Sequence, residues 1–305
     1  MEINSAGVPA EDKNMVISQL FDRKKAVYSF EIFPPKPTTE VDKVLATVRE
    51  LADLRPDYIS VTCSAGGSGN SRTAEIARAV KDCGVEPLAH LTCINADKRS
   101  VDASLAQLRE NGICNVLALR GDRIEGAPLS EDFAHASDLA AYIREKGGFD
   151  IAGACYPEGH PDAPSLAQDV RNLKYKIDAG VTHLNSQLFF DNEDFYRFAD
   201  LLQAADIRVP VQAGIMPLVR KNHVERIIRL SGAKIPAKIS RMIARFEDKP
   251  DALLEAGIAY AVDQIVDLLS AGVRGVHLYV MNNTYVARRI TESVAPILKE
   301  LNSEA

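Results

Sequence analysis

The sequence predicts an α/β protein, a (β/α)8 barrel, and three observations carry that prediction. Short β-rich runs alternate with longer amphipathic helical patterns along the chain. The units number eight, the count at which a parallel sheet closes on itself. Polar residues recur at the C-terminal ends of the strands, where active sites of such barrels lie. At 305 residues the chain is within the range of an undivided barrel, so it reads as one domain, 1–305, with a short N-terminal helical extension.

The extension is a helix around Asn14 to Phe21, followed by the first strand, which opens at Ala26 and ends at Glu31. Alternation puts Val27, Ser29 and Glu31 on one face and Tyr28, Phe30 and Ile32 on the other. Pro34-Pro35 removes two backbone donors and ends the strand just after Glu31. Thr38 or Thr39 can cap a helix carrying Val41, Val44, Leu45, Val48 and Leu51 at helical spacing. The second strand is Asp57 to Thr62, then come the glycine-rich loop Ser64 to Asn70 and a helix from Thr73 to Cys83. Glu86 to Thr92 is the third strand, Ser100 to Asn111 a helix, and Asn115 to Leu119 the fourth strand, stopping at Arg120-Gly121-Asp122. A helix at Phe133 to Lys146 precedes the fifth strand, Asp150 to Tyr156. Gly180 can close the helix Ala167 to Ala179 before the sixth strand, Thr182 to Gln187. Ile207 to Gln212 is the seventh strand, and Val276 to Val280, after the helix Ala256 to Ala271, is the eighth.

An open doubly wound sheet is the competing architecture. It calls for Gly-x-Gly-x-x-Gly after the first strand, where this chain has Pro-Pro. The loop after the second strand also lacks the Lys-Ser/Thr of a phosphate-binding loop.

Composition bounds the function classes. Apolar content of 46% and charged content of 26% are those of a globular protein with an ample core. A net charge of -6 speaks against nucleic acid or an anionic membrane as partner. No apolar run reaches membrane-spanning length and the N-terminus opens no signal peptide, so a cytoplasmic location is expected. Cys63, Cys83, Cys93, Cys114 and Cys155 are scattered without metal-ligand spacing, so no metal site is expected.

Glu31, Thr62, Thr92, Asp122, Tyr156, Gln187 and Tyr279 each fall at a strand's C-terminal end. In a closed barrel these ends converge on one mouth. Glu31, flanked by Phe30, Ile32, Phe33 and two prolines, is expected to be shielded, with desolvation raising its pKa toward neutrality as suits a general acid. The bland alternative is a glutamate paired with a lysine at a strand edge.

Seven segments carry a resemblance: Tyr28-Ser29-Phe30-Glu31-Ile32-Phe33-Pro34-Pro35-Lys36, Ser60-Val61-Thr62, His90-Leu91-Thr92-Cys93, Leu117-Ala118-Leu119-Arg120-Gly121-Asp122, Tyr156-Pro157-Glu158-Gly159-His160-Pro161, Gln187-Leu188-Phe189-Phe190-Asp191 and Gly214-Ile215-Met216-Pro217. In this order, spanning Val27 to Tyr279, they resemble the methylenetetrahydrofolate reductase family, in its short bacterial form. The resemblance implies an FAD-dependent barrel that reduces 5,10-methylenetetrahydrofolate to 5-methyltetrahydrofolate, with NADH or NADPH as electron donor.

It further implies Glu31 as the acid that protonates the departing folate nitrogen, Asp122 as an anion near the flavin and pterin rings, and Gln187 as an amide contacting folate and nicotinamide in turn. His223, Tyr279 and Asn283 join these three as implied substrate contacts. Thr62, Ala65, His90, Arg120, Gly121, Asp122, His135, Ala136, Tyr156, His160, Ala163, Asp169, Asn172 and Lys176 are the implied neighbourhood of FAD. Arg120 and Lys176 suit the pyrophosphate as counter-charges, and Asp169, Asn172 and Lys176 share one helix face.

The sequence also departs from the family pattern. Cys63 stands where relatives often have Tyr, and Asn283 replaces an arginine that commonly follows the eighth strand; an amide offers no bidentate charged contact. His223 replaces a common glutamine, and Ile227 an aromatic near the nicotinamide. Together with the family's precedents, these changes imply an oligomer in which a second redox subunit is an alternative electron source. Two rival classes fare worse. A Schiff-base barrel enzyme needs a lysine inside a strand, and none of the eight runs has one at its centre. A barrel that only docks partners would not need an acid, an amide and an aspartate converging on one mouth.

Overall fold

Strand β1 runs Val27–Ile32 and is buried along its whole length. Tyr28, Phe30 and Ile32 point into the apolar shell beneath the helices, while Ser29 and Glu31 point inward, as alternation requires. A strand covered on both faces belongs to a parallel sheet wrapped by helices. In this computed structural model, which describes residues 15–34, 41–63, 70–123, 126, 128–221 and 232–303, seven further strands follow. They are Tyr58–Val61 (β2), Glu86–Thr92 (β3), Asn115–Leu119 (β4), Asp150–Cys155 (β5), His183–Ser186 (β6), Val211–Ile215 (β7) and Gly275–Tyr279 (β8). Each pairs in parallel with the next and β8 returns to β1, so the sheet is a closed eight-stranded barrel in chain order. The register sets Glu31 beside Ser60 on one side and Tyr279 on the other.

A 3-10 turn, Ile17–Gln19, leads into α1 (Leu20–Arg23). Around the barrel run α2 (Val41–Ala52), α3 (Asn70–Asp82), α4 (Lys98–Glu110), α5 (Ala136–Lys146), α6 (Leu166–Asp178), α7 (Asn192–Ala204), α8 (Ala237–Phe246), α9 (Pro250–Ser270) and α10 (Thr284–Ser303). Their starts follow ordinary capping chemistry. Asp97 and Ser100 form a reciprocal box at α4, and Ser165 and Asp191 cap α6 and α7 with their side chains. Among the described residues no helix is long and apolar enough to cross a membrane.

The N-terminal segment closes the bottom of the barrel. Ile17, Leu20 and Phe21 pack against Val27, Tyr58, Leu88, Leu117 and Ala152, inward residues near the strand starts. Asn115 Oδ1 accepts the Ile17 N–H at 3.0 Å and Asp150 Oδ2 the Ser18 N–H at 2.8 Å.

Several elements differ from the sequence reading. The N-terminal helix lies at Leu20–Arg23 behind its 3-10 turn, later than the expected 14–21. The seventh strand is Val211–Ile215 instead of Ile207 to Gln212. Ile207 and Val209 are apolar because the connection itself packs on the core, and Pro210 has no N–H for a ladder. The long helix before β8 begins at Pro250, and α8 stands before it as a separate amphipathic helix. Sequence reasoning placed neither α7 nor α10. The Thr38/Thr39 cap and most of the loop from Ser64 lie outside the described residues.

Candidate active site

All seven polar strand-end residues, Glu31, Thr62, Thr92, Asp122, Tyr156, Gln187 and Tyr279, line one cavity of about 530 Å3 at the C-terminal mouth. That volume is in the range of small-molecule sites. Glu31 is 8% exposed at its floor. Its Oε2 accepts the Ser60 hydroxyl at 3.2 Å and lies 3.3 Å from His90 Nε2 and 3.5 Å from His277 Nε2. The Ser29 hydroxyl meets the far nitrogen of His277, Nδ1, at 2.7 Å, and Gln212 Nε2 donates to Ser29 Oγ at 3.0 Å. The carboxyl therefore ends a buried polar chain that runs down the barrel interior. Among the described residues it has no lysine partner.

This surrounding corrects the expected titration of Glu31. Burial alone pushes its pKa up, but the His277 hydrogen bond, the charges of His90 and His277 and the Ser60 hydroxyl together outweigh burial and hold it below the ordinary carboxylate value. Burial holds the His90 imidazole down, so it favours the neutral form, with the neighbouring carboxylate pulling the other way.

Gln187 projects from the end of β6. Its carbonyl oxygen takes the Leu188 N–H at 2.9 Å, which leaves its NH2 as the group a ligand can meet. Tyr279 donates to the Ser186 carbonyl at 2.7 Å, its ring crossing β7 at Gly214. A Cβ on Gly214 would stand 2.3 Å from the Ser186 oxygen and 2.8 Å from the Tyr279 ring, so only glycine lets the tyrosine lie across that strand.

A second cavity, about 710 Å3, opens sideways between the ends of β4, β5 and α6. His135, Ala136, Ala163, Asp169, Asn172 and Lys176 line it, and Arg120, Tyr156 and His160 line both cavities. The shared helix face of Asp169, Asn172 and Lys176 is thus turned to this cavity. Lys176 Nζ donates to the Ala154 carbonyl at 2.6 Å, and burial pushes its pKa down. Arg120 is held at 2.8 Å by Asp162. Burial raises the Asp169 carboxyl although it accepts the His160 N–H at 3.0 Å, and burial pushes the Tyr156 hydroxyl up to about 12.

Not every expected contact reaches the mouth. The Asn283 side chain accepts the Val286 N–H at 3.2 Å and so caps α10, outside the residues that line either cavity. Ala65, His223 and Ile227 lie outside the described residues. Thr62, His90, Gly121 and Asp122 all line the mouth.

Two adjoining cavities that share Arg120, Tyr156 and His160 fit an elongated, two-ended ligand. The lateral one carries Arg120 and Lys176 among the carboxylates of Asp138, Asp162 and Asp169, the mouth an acid and an amide. The profile of the family described as methylenetetrahydrofolate reductase matches residues 16–295. The chain belongs to the methylenetetrahydrofolate reductase family. It is 34% identical over 268 residues to the 5,10-methylenetetrahydrofolate reductase of Escherichia coli K12, covering 87% of this chain and 90% of that protein. To methylenetetrahydrofolate reductase 1 of Schizosaccharomyces pombe it is 32% identical over 296 residues, 92% of this chain but 49% of the yeast protein. The chain thus spans most of its bacterial relatives and about half of the yeast one. The solved structure of an uncharacterized Clostridium thermocellum protein that binds two copies of 5-methyl-5,6,7,8-tetrahydrofolic acid shares the fold, with TM-score 0.70 over 94% of this chain and 100% of that one at 12% identity.

Within this methylenetetrahydrofolate reductase barrel, sequence reasoning missed Ser60 and His277. The signal for His277 was present: alternation places it on the same strand face as Tyr279. Tyr175, 68% exposed at the rim of the lateral cavity, was missed as well.

Proposed function

We propose that this chain reduces 5,10-methylenetetrahydrofolate to 5-methyltetrahydrofolate with FAD held across the two cavities, NADH or NADPH supplying the electrons. When bound, FAD supplies the hydride. The observation that carries the reading is the convergence of Glu31, Asp122 and Gln187 in a mouth that adjoins a cavity lined by Lys176 and Arg120. The donor set fits the cofactor. The two cations answer a pyrophosphate in an otherwise acidic protein, while Thr62, His90, Gly121 and Tyr156 border the space for its ring system.

Opening the methylene bridge needs a proton on the departing folate nitrogen. Glu31 is the residue placed to give it. Its protein neighbours hold its pKa low and favour the ionised form, so it must first gain that proton. Ligand rings filling the mouth would exclude water from the carboxyl and favour its neutral form. His90, which lines the mouth with its Nε2 3.3 Å from the carboxyl, is the titratable neighbour through which that proton can arrive. The Asp122 carboxyl borders the space for the rings, and the Gln187 NH2 orients a carbonyl or ring nitrogen of the pterin.

The test is spectroscopic. Purified protein, or protein reconstituted with FAD, is expected to show flavin absorbance that bleaches anaerobically with NADH or NADPH and returns on adding the folate. A chain that neither retains nor takes up flavin would overturn the reading. Bleaching only by an artificial dye, with folate turnover intact, would instead assign the electrons to a partner redox subunit.

A further inference from the structure

We infer that Asn282 is a positioning residue whose side-chain amide pins the main chain of Phe33 and so fixes the wall of the mouth next to Glu31. The β1–β8 ladder has its last pair at Glu31 and Tyr279. Beyond it the next backbone groups of the rim are taken by a side chain. The Phe33 N–H donates to Asn282 Oδ1 at 2.9 Å, and Asn282 Nδ2 donates to the Phe33 carbonyl at 2.9 Å. An amide carries a donor and an acceptor side by side, so it can answer the N–H and the carbonyl of one residue at once. The two parallel bonds stop Phe33 from rotating about either one.

The backbone of the turn is bent to make this contact. Met281 and Asn282 are consecutive residues at φ 50 and 56, a left-handed conformation that residues with a Cβ adopt at a cost and that asparagine tolerates better than most. The turn is anchored on both sides. The Asn283 N–H bonds the Val280 carbonyl at 2.8 Å, and the Met281 side chain packs on the cluster around Met216 and Leu218. On the other side of the seam, Phe33 lines the mouth and is 38% exposed. It is followed by Pro34, which has no N–H with which to re-pair the strand. Asn282 thus extends the barrel seam by one residue, at the height where a ligand would meet Glu31.

The kinetic part rests on the proposed folate reaction; the structural part does not. Hydrogen exchange of the Phe33 amide is measured in the flavin-loaded parent, N282A, N282D and N282G. Exchange is expected to rise about tenfold in N282A and N282G, and to stay near the parent in N282D, which keeps the acceptor. N282G relieves the left-handed backbone, so it should melt above N282A while remaining equally unprotected. Folate KM is expected to rise about tenfold in N282A, with flavin content and donor-driven flavin bleaching unchanged. Equal exchange in parent and N282A would overturn the clamp, and a freed Phe33 with unchanged folate KM would overturn its role at the mouth. A parent that turns over no folate would count against the reaction, while the exchange measurement would still decide the clamp.

Discussion

The two ends of the barrel interior are built by the same inward alternation and come out opposite. At the bottom, Asn115 and Asp150 spend their side chains on the N–H groups of Ile17 and Ser18, and the remaining space is filled by Leu20, Phe21, Tyr58 and Leu88. At the mouth, Glu31, Asp122 and Gln187 line open space instead. A polar side chain answered by backbone serves stability. One that faces a cavity keeps chemistry available, and its surroundings set its pKa.

The contrast can be broken from either end. The largest effect is expected at the mouth. Glu31→Gln should slow folate reduction by about 10²–10⁴-fold, as loss of a general acid does, while flavin retention and bleaching persist; unchanged turnover would remove Glu31 from the mechanism. Next comes the plug, where Ile17→Ala should cost about 2–5 kcal/mol by opening a void. That loss is read as a lower Tm, with flavin binding at the mouth retained. Asn115→Ala should cost about 1–3 kcal/mol by leaving the Ile17 N–H buried without its acceptor, again measured by unfolding and again sparing the mouth.

The smallest effect is in the pH dependence of stability. The unfolded chain binds a proton at the ordinary histidine value of 6.5, and burial lowers the folded His90 value. The depressed Glu31 carboxyl has the same sign. Stability from both is present at neutral pH, erodes through His90 below about pH 6.5, and falls further as Glu31 protonates in the acid range. His90→Asn should flatten the upper part of that decline in Tm against pH. A slope identical to the parent's would exclude His90 as its source.

Much of this was legible in the sequence where local pattern and tertiary fate coincide. Glu86–Thr92 and Asn115–Leu119 are strands over the ranges their apolar runs suggest, and the seven strand-end polar residues do share one cavity. The seventh strand was misplaced because Gly214, needed so that Tyr279 can cross it, weakens the strand pattern there, while Ile207 and Val209 imitate a strand from the loop. The titration of Glu31 was read in the wrong direction because its sequence neighbours are apolar, whereas the groups that decide it, Ser60, His90 and His277, arrive from other strands. Asn283 looked like a ligand contact by its position after β8, but a helix start one residue later claims it as a cap.

Closure of the ring between β1 and β8 has a consequence for biosynthesis. Strand β1 leaves the ribosome early, and its imidazole neighbour His277 is translated more than two hundred residues later. Until then β1 and β7 are raw edges of an unfinished sheet, open to pairing with other chains. A polypeptide interrupted before Gly275 would therefore carry its carboxylate and His90 but lack His277 and a closed wall, making it a candidate for aggregation before it could become an enzyme.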